Sequence, residues 1–131
     1  MNAKFPREFS LECGPVGPVD LALFAAAAGD HNPLHLDADV AKAAGFERPV
    51  VHGMLTMAYA GRLLTRQFGA GSVRSLRTRF TGTALRGDRI VLKAMLKGVE
   101  NDIGHYELRA QLATGAEVMS GEALIVLRRG P

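Results

Sequence analysis

The sequence predicts an α+β fold in which an antiparallel β-sheet wraps one long apolar helix. Three observations predict it. The stretch Gly53 to Phe68 carries Met54, Leu55, Met57, Ala58, Tyr59, Ala60 and Gly61 with almost no polar face, the pattern of a buried helix. From Val73 onward apolar and polar residues alternate with period two between short turns, as in strands that are packed on one face and wet on the other. No second long helix is available to cover the sheet, so its inner face must close on the first.

The elements follow in order. Arg7 to Glu12 is a candidate first strand. Gly17 and Pro18 open a helix, Pro18 in the first-turn position where a missing N–H costs nothing. Val19, Leu21, Leu23, Phe24 and Ala25 to Ala28 continue it, and Gly29 stops it. Residues 30–52 contain Asn32-Pro33, Gly45 and Arg48-Pro49, which read as an ordered excursion with at most a short helix around Asp39 to Ala44. A connection that long inside a compact domain is usually functional. The apolar helix then runs to Phe68 and ends at Gly69-Ala70-Gly71-Ser72, with Arg62 and Arg66 favouring its C-terminal half.

Strands are expected over Val73–Thr83, Arg89–Val99, His105–Ala113 and Glu117–Arg128, separated by turns at Arg86-Gly87-Asp88, Glu100–Gly104 and Thr114-Gly115. Leu76, Thr78 and Phe80 share one face of the first, with Ser75, Arg77 and Arg79 on the other. Ile90, Leu92, Ala94 and Leu96 share a face of the second, and Tyr106, Leu108, Ala110 and Leu112 of the third.

Composition narrows the function classes. The 131 residues form one expected domain, 1–131, with 47% hydrophobic and 22% charged residues, an ordinary globular balance. The single cysteine, Cys13, allows no internal disulfide and fits a reducing, cytoplasmic setting. The start, Met1 to Arg7, lacks the apolar run of a signal peptide, and no apolar run matches a membrane span. The net charge of +3 is spread along the chain without interleaved aromatics, which argues against nucleic acid and suits a phosphate-bearing small molecule or an acidic carrier protein.

Two polar clusters interrupt the apolar text: Gly29-Asp30-His31-Asn32-Pro33-Leu34-His35-Leu36-Asp37, and Arg48-Pro49-Val50-Val51-His52-Gly53-Met54 at the entry to the buried helix. Pro33 disfavours helical backbone at Asn32, so the first cluster turns. A turn brings the Asp30 carboxylate and the His35 imidazole toward one spot, where both can hold one water. Histidine titrates near neutral pH, which suits proton transfer. Asp30, at the end of a helix and the edge of the apolar region, is expected to be partly buried. Gly53 opens the second helix with a free N–H at the positive end of the dipole and no side chain to block a ligand oxygen. Such an amide is what a developing enolate oxygen needs.

Plainer readings stand beside these. Asp30 could simply end a helix, and His35 could be a satisfied loop histidine. His31, His35, Asp37 and Asp39 offer metal-ligand types, but Pro33 breaks their spacing and no cysteine assists, so no metal is expected. His52 reads as a packing and hydrogen-bonding residue. Arg77 and Arg79 read as a solvated strand face before a phosphate clamp. Phe68-Gly69-Ala70-Gly71 is a helix stop, not a nucleotide loop, because no strand precedes it.

Gly29-Asp30-His31-Asn32-Pro33-Leu34-His35, followed by Glu47-Arg48-Pro49-Val50-Val51-His52-Gly53-Met54-Leu55, resembles the hydratase motif of the MaoC-like proteins, the (R)-specific enoyl-CoA hydratases and related 3-hydroxyacyl-thioester dehydratases. The resemblance extends roughly from Pro18 to the last strand. It implies a hot-dog fold, usually a homodimer, and reversible hydration of an acyl-CoA or acyl-carrier-protein thioester without a cofactor. It implies that Asp30 and His35 hold the water and that the Gly53 N–H receives the thioester carbonyl. Asn32 and Pro33 would shape the turn, and His52 would support the Gly53 loop. Met54, Met57, Arg77 and Arg79 are the further candidates for substrate contact. One departure is visible: some relatives carry a serine along the central helix where this chain has Gly61 or the adjacent Ala60. That departure keeps open a non-catalytic acyl-thioester binder or one subunit of a heterodimeric dehydratase. A hot-dog thioesterase remains open on physical grounds alone.

Overall fold

The computed structural model describes residues 4–127. The N-terminal reading of Met1, Asn2 and Ala3 and the placement of the last strand's end at Arg128 lie outside the described residues. The elements are β1 (Glu8–Cys13), α1 (Pro18–Ala28), a 3-10 turn (Pro33–His35), α2 (Ala38–Ala43), α3 (Gly53–Phe68), β2 (Val73–Phe80), β3 (Ile90–Glu100), β4 (Ile103–Leu112) and β5 (Glu117–Val126). Both long-helix expectations hold to the residue. Gly17 precedes Pro18, and Gly29 takes the left-handed backbone, φ 70°, that ends α1.

The five strands form one antiparallel sheet in the order β1-β3-β4-β5-β2. β3, β4 and β5 are the hairpin-linked meander expected from the alternation. β2 corrects it. Arg86-Gly87-Asp88 is a turn, with Gly87 at φ 98°, but it joins strands at opposite sides of the sheet. β2 pairs with β5, Arg77 opposite Glu122 and Phe80 opposite Met119. Period-two patterning fixes which face of a strand is apolar and leaves its neighbour open.

The inner face of the sheet carries Leu92, Ala94, Tyr106, Leu108, Ala110, Met119, Ala123 and Ile125, all buried, in one core with Leu55, Tyr59, Ala60, Leu63 and Leu64 of α3. Truncating a fully buried leucine such as Leu64 or Leu108 to alanine costs about 2–5 kcal/mol through lost transfer energy and a residual cavity. The helix is not buried all round, however. Met54, Ala58, Arg62 and Thr65 form an exposed stripe, and Met54 is 55% exposed. A single sheet covers one side of a helix; the opposite side needs another layer. Phe80, expected to share a face with Leu76, is 48% exposed at the end of β2, although it pairs with the buried Met119.

The connection from β2 to β3 matters for the site. Val51 N–H donates to the Ala84 carbonyl, and Arg86 N–H to the Pro49 carbonyl. The Arg48 side chain donates to the Arg86 carbonyl at 2.7 Å and to the Asp88 carboxylate at 3.2 Å. Asp88 also accepts the Leu85 N–H at 2.8 Å. The residues just before α3 are thereby pinned to a connector almost forty positions later in the chain.

Candidate active site

The turn that carries the two titratable groups is built by local rules. After the left-handed Gly29, the Asp30 N–H reaches back to the Ala25 carbonyl at 3.1 Å. The Asp30 carboxylate accepts the Asn32 N–H at 3.3 Å. Asn32 has extended backbone, φ −56° and ψ 122°, as a residue before proline should, and its side chain accepts the Leu34 N–H at 3.0 Å. Asn32 therefore caps the 3-10 turn whose last residue is His35. Pro33 provides its first position and its carbonyl accepts the N–H groups of Leu36 and Asp37.

His35 is then oriented from a distance. Its Nδ1 lies 2.7 Å from the Val50 carbonyl. A carbonyl only accepts, so Nδ1 carries hydrogen and Nε2 of the neutral ring presents a lone pair. That Nε2 is 3.7 Å from the Asp30 carboxylate. The separation is too long for a direct hydrogen bond, but one oxygen about 2.8 Å from each atom satisfies both. The expected convergence of Asp30 and His35 is thus present in the geometry. Their burial differs: the His35 side chain is 13% exposed, and that of Asp30, expected to be partly buried, is 50% exposed.

Behind the pair lies His52. It is buried, 2% exposed, and its ring stacks on His35 with centroids 3.7 Å apart and planes at 20°. Its Nε2 is 3.2 Å from the Asp30 carbonyl. Phe24 of α1 packs on it at 5.0 Å. Burial pushes the proton affinity of His52 down, and the neighbouring His35 pushes the same way.

Gly53 follows at the first position of α3, where its N–H has no intrahelical acceptor. The sequence explains this glycine by ligand approach. The structure adds a second reason: a Cβ built on Gly53 lies 3.1 Å from the ring tip of Phe80. His52, Gly53 and Phe80 therefore bring two aromatic rings to the amide that opens the helix.

The remaining candidates separate. Met57 is half-buried against the core one turn into α3, whereas Met54, directly after Gly53, is exposed. Arg77 and Arg79 line a hollow of about 400 Å³ on the sheet with Glu107, Arg109, Ser120 and Glu122, a set that includes none of the acid–base residues. Arg77 pairs there with Glu122 at 3.7 Å, and Arg109 bridges Glu107 and Glu117. The metal-ligand set raised by the sequence does not assemble either. Asp37 instead caps α2, accepting the N–H groups of Asp39 and Val40. Asp30, His35 and His52 do offer donor atoms within 4.8 Å of one another. Rings stacked near-parallel direct their lone pairs side by side and not at one point, and two of the four ring nitrogens are engaged by carbonyls. That arrangement suits proton transfer better than a three-ligand metal site.

Sequence reasoning left three contributors without a role. The Val50 carbonyl, Phe24 and Phe80 act through contacts 15 or more positions away in the chain, and neither a backbone carbonyl nor a lone aromatic signals its partner. Arg48 had a visible signal, a cation inside the second cluster, but its partner Asp88 is found only in three dimensions.

A family model described as "MaoC like domain" matches residues 3–115. The chain is 36% identical over 121 residues to an "(R)-specific enoyl-CoA hydratase" of Aeromonas caviae, covering 85% of this chain and 86% of that protein. It is 39% identical over 75 residues to "3-hydroxyacyl-thioester dehydratase Y" of Mycobacterium tuberculosis, covering 54% of this chain but only 26% of that protein. Among solved structures, the (R)-hydratase from A. caviae involved in PHA biosynthesis superposes with a TM-score of 0.86 at 31% identity, covering 92% of this chain and 94% of that one.

Proposed function

The chain belongs to the MaoC-like family, and on that premise we propose that it is a hydro-lyase acting on acyl thioesters. It interconverts a trans-2-enoyl thioester and the (R)-3-hydroxyacyl thioester, the CoA or carrier-protein form being the substrate. The observation that carries the reading is the 3.7 Å approach of His35 Nε2 to the Asp30 carboxylate beside an unengaged helix-opening amide. In hydration, the pair holds one water. The water oxygen bonds to the β-carbon, the pair takes a proton from that water, and the α-carbon receives a proton as the enolate collapses. Dehydration is the reverse. The thioester oxygen gains charge in both directions, and the Gly53 N–H at the positive end of α3 stabilises it. The reaction needs no oxidant and no resident cofactor, because its only currency is water and a proton. Which member of the pair handles which proton belongs to the pair as a unit.

The test is hydration of crotonyl-CoA, followed as loss of enoyl absorbance. Asp30→Asn and His35→Ala each lower kcat by about 100-fold or more, the scale of a lost proton-transfer group. If both variants turn over like the parent, the assignment fails. Release of free thiol from acyl-CoA would reveal a thioesterase instead, and tight acyl-CoA binding without turnover a binding subunit.

We place the protein in the cytoplasm as a single domain and a homodimer. No described helix is long and apolar enough to cross a membrane. β2 is an edge strand, and Phe80 at its end and Met54 in the first turn of α3 are exposed apolar side chains that a second copy would cover. Light scattering should give twice the chain mass; a monomer would remove the dimer from the proposal.

A further inference from the structure

We propose that His52 is a positioning residue for this reaction: a neutral imidazole that holds the ring of His35 by stacking and ties Asp30 to the start of α3. The inference rests on the hydratase reading and adds a residue that the motif explains only as support for a loop.

The hydrogen positions follow from the partners. The Asp30 carbonyl only accepts, so Nε2 of His52 donates to it. Nδ1 is then a bare lone pair. Among the described residues it is the one fully buried side-chain nitrogen or oxygen without a hydrogen-bond partner. An orphaned buried polar atom calls for an explanation. Protonating Nδ1 would bury a charge with no acceptor against the His35 ring. Leaving it bare keeps His52 neutral. The titratable groups acting on it are His35 and Asp30 of the turn, and α1 packs the Phe24 ring against it.

A neutral ring is useful in that place. Whenever the proton shared by the pair rests on His35, that ring is an imidazolium, and a charged neighbour would oppose it. A neutral aromatic face 3.7 Å away fixes the plane of His35 and attracts its cationic form. Position 52 also directly precedes Gly53. One side chain therefore joins the Asp30 carbonyl, the His35 ring and the helix-opening amide, so the proton-transfer pair and the carbonyl-binding N–H keep one spacing. Small misplacements of reacting groups are expensive in rate.

Two measurements test this. Imidazole nitrogen NMR of the unmodified chain from about pH 5 to 8 reads protonation directly. His52 should keep the neutral Nε2–H form throughout; a proton on Nδ1, or titration of His52 within that range, overturns the proposal. Kinetics on crotonyl-CoA then test the role. His52→Ala should lower kcat about tenfold or more with KM changed less than about threefold, and His52→Phe, which restores a ring on His35, should recover at least half of that loss on a logarithmic scale. Added to His35→Ala, His52→Ala should cost clearly less than it does alone, since part of its effect runs through the His35 ring. Parent-like kcat in His52→Ala, or losses that simply add, overturn the proposal. If the unmodified chain has no hydratase activity, the reaction reading falls, while the imidazole spectrum still decides the geometry.

Discussion

Replacing Gly53 by proline removes the amide hydrogen from the proposed site and puts the ring Cδ in its place. Proline is favoured at the first position of a helix, because its missing N–H has no acceptor there and its fixed φ suits the helix. Gly53 holds that position in α3 and does not use left-handed backbone. The preceding residue accepts the change too: His52 sits at φ −56° and ψ 129°, inside the region allowed before proline. The new Cβ meets the Phe80 ring tip at 3.1 Å, so that half-exposed side chain must yield by a few tenths of an ångström. Gly53→Ala brings the same Cβ and keeps the N–H, and therefore serves as the control. Stability of both variants should stay within about 1 kcal/mol of the parent, since alanine and first-turn proline each offset part of the contact through backbone preference. Catalysis should separate them. Losing one preorganised donor to a developing oxyanion costs about 100- to 1000-fold in kcat, or about 2.7–4 kcal/mol. The assay is crotonyl-CoA hydration at saturation, with urea unfolding to confirm folding. If the proline variant matches the alanine variant within about threefold in kcat, the Gly53 amide does not bind the reacting carbonyl.

Other expectations follow from the same geometry. Asp88→Ala removes the acceptor of the Arg48 guanidinium and the Leu85 N–H, and should cost about 1–2 kcal/mol in urea unfolding at constant m-value, the effect being moderated by partial exposure; a loss below about 0.5 kcal/mol would mean the connector is held by its backbone bonds alone. Because burial lowers the proton affinity of His52 from the ordinary 6.5, its contribution to stability is complete above about pH 6.5 and is lost as pH falls through its lower folded value. His52→Gln should therefore show a shallower fall in urea midpoint on acidification than the parent, and parallel curves would contradict the buried neutral state. Burial raises the Tyr106 hydroxyl from 10.0 to about 12 while it donates to the Pro6 carbonyl at 2.8 Å. Its contribution is full below about pH 10 and gone above about pH 12, so Tyr106→Phe should flatten the alkaline limb of the stability curve and cost about 1 kcal/mol at neutral pH.

The sequence by itself determined what depends on near neighbours. Gly17-Pro18 and Gly29 bound α1, Gly53 and Phe68 bound α3, and both sets are backbone preferences of single residues. Alternation marked Leu92, Ala94, Tyr106 and Leu108 as core, because side-chain direction in a strand has a fixed period. The Asp30–His35 turn was legible for the same reason: Asn32 and Pro33 shape it over a few residues. Tertiary structure alone decided what needs distant chain to close. β2 lies beside β5, not β3, since pleating says nothing about which edge a strand joins. The His35 ring is aimed by a carbonyl 15 positions away, and His52 becomes a neutral stacking partner only once Phe24, Asp30 and His35 surround it. Arg77 and Arg79 fall in a sheet-face hollow and Phe80 against Gly53 through strand register, a pairing of whole segments that no local pattern encodes.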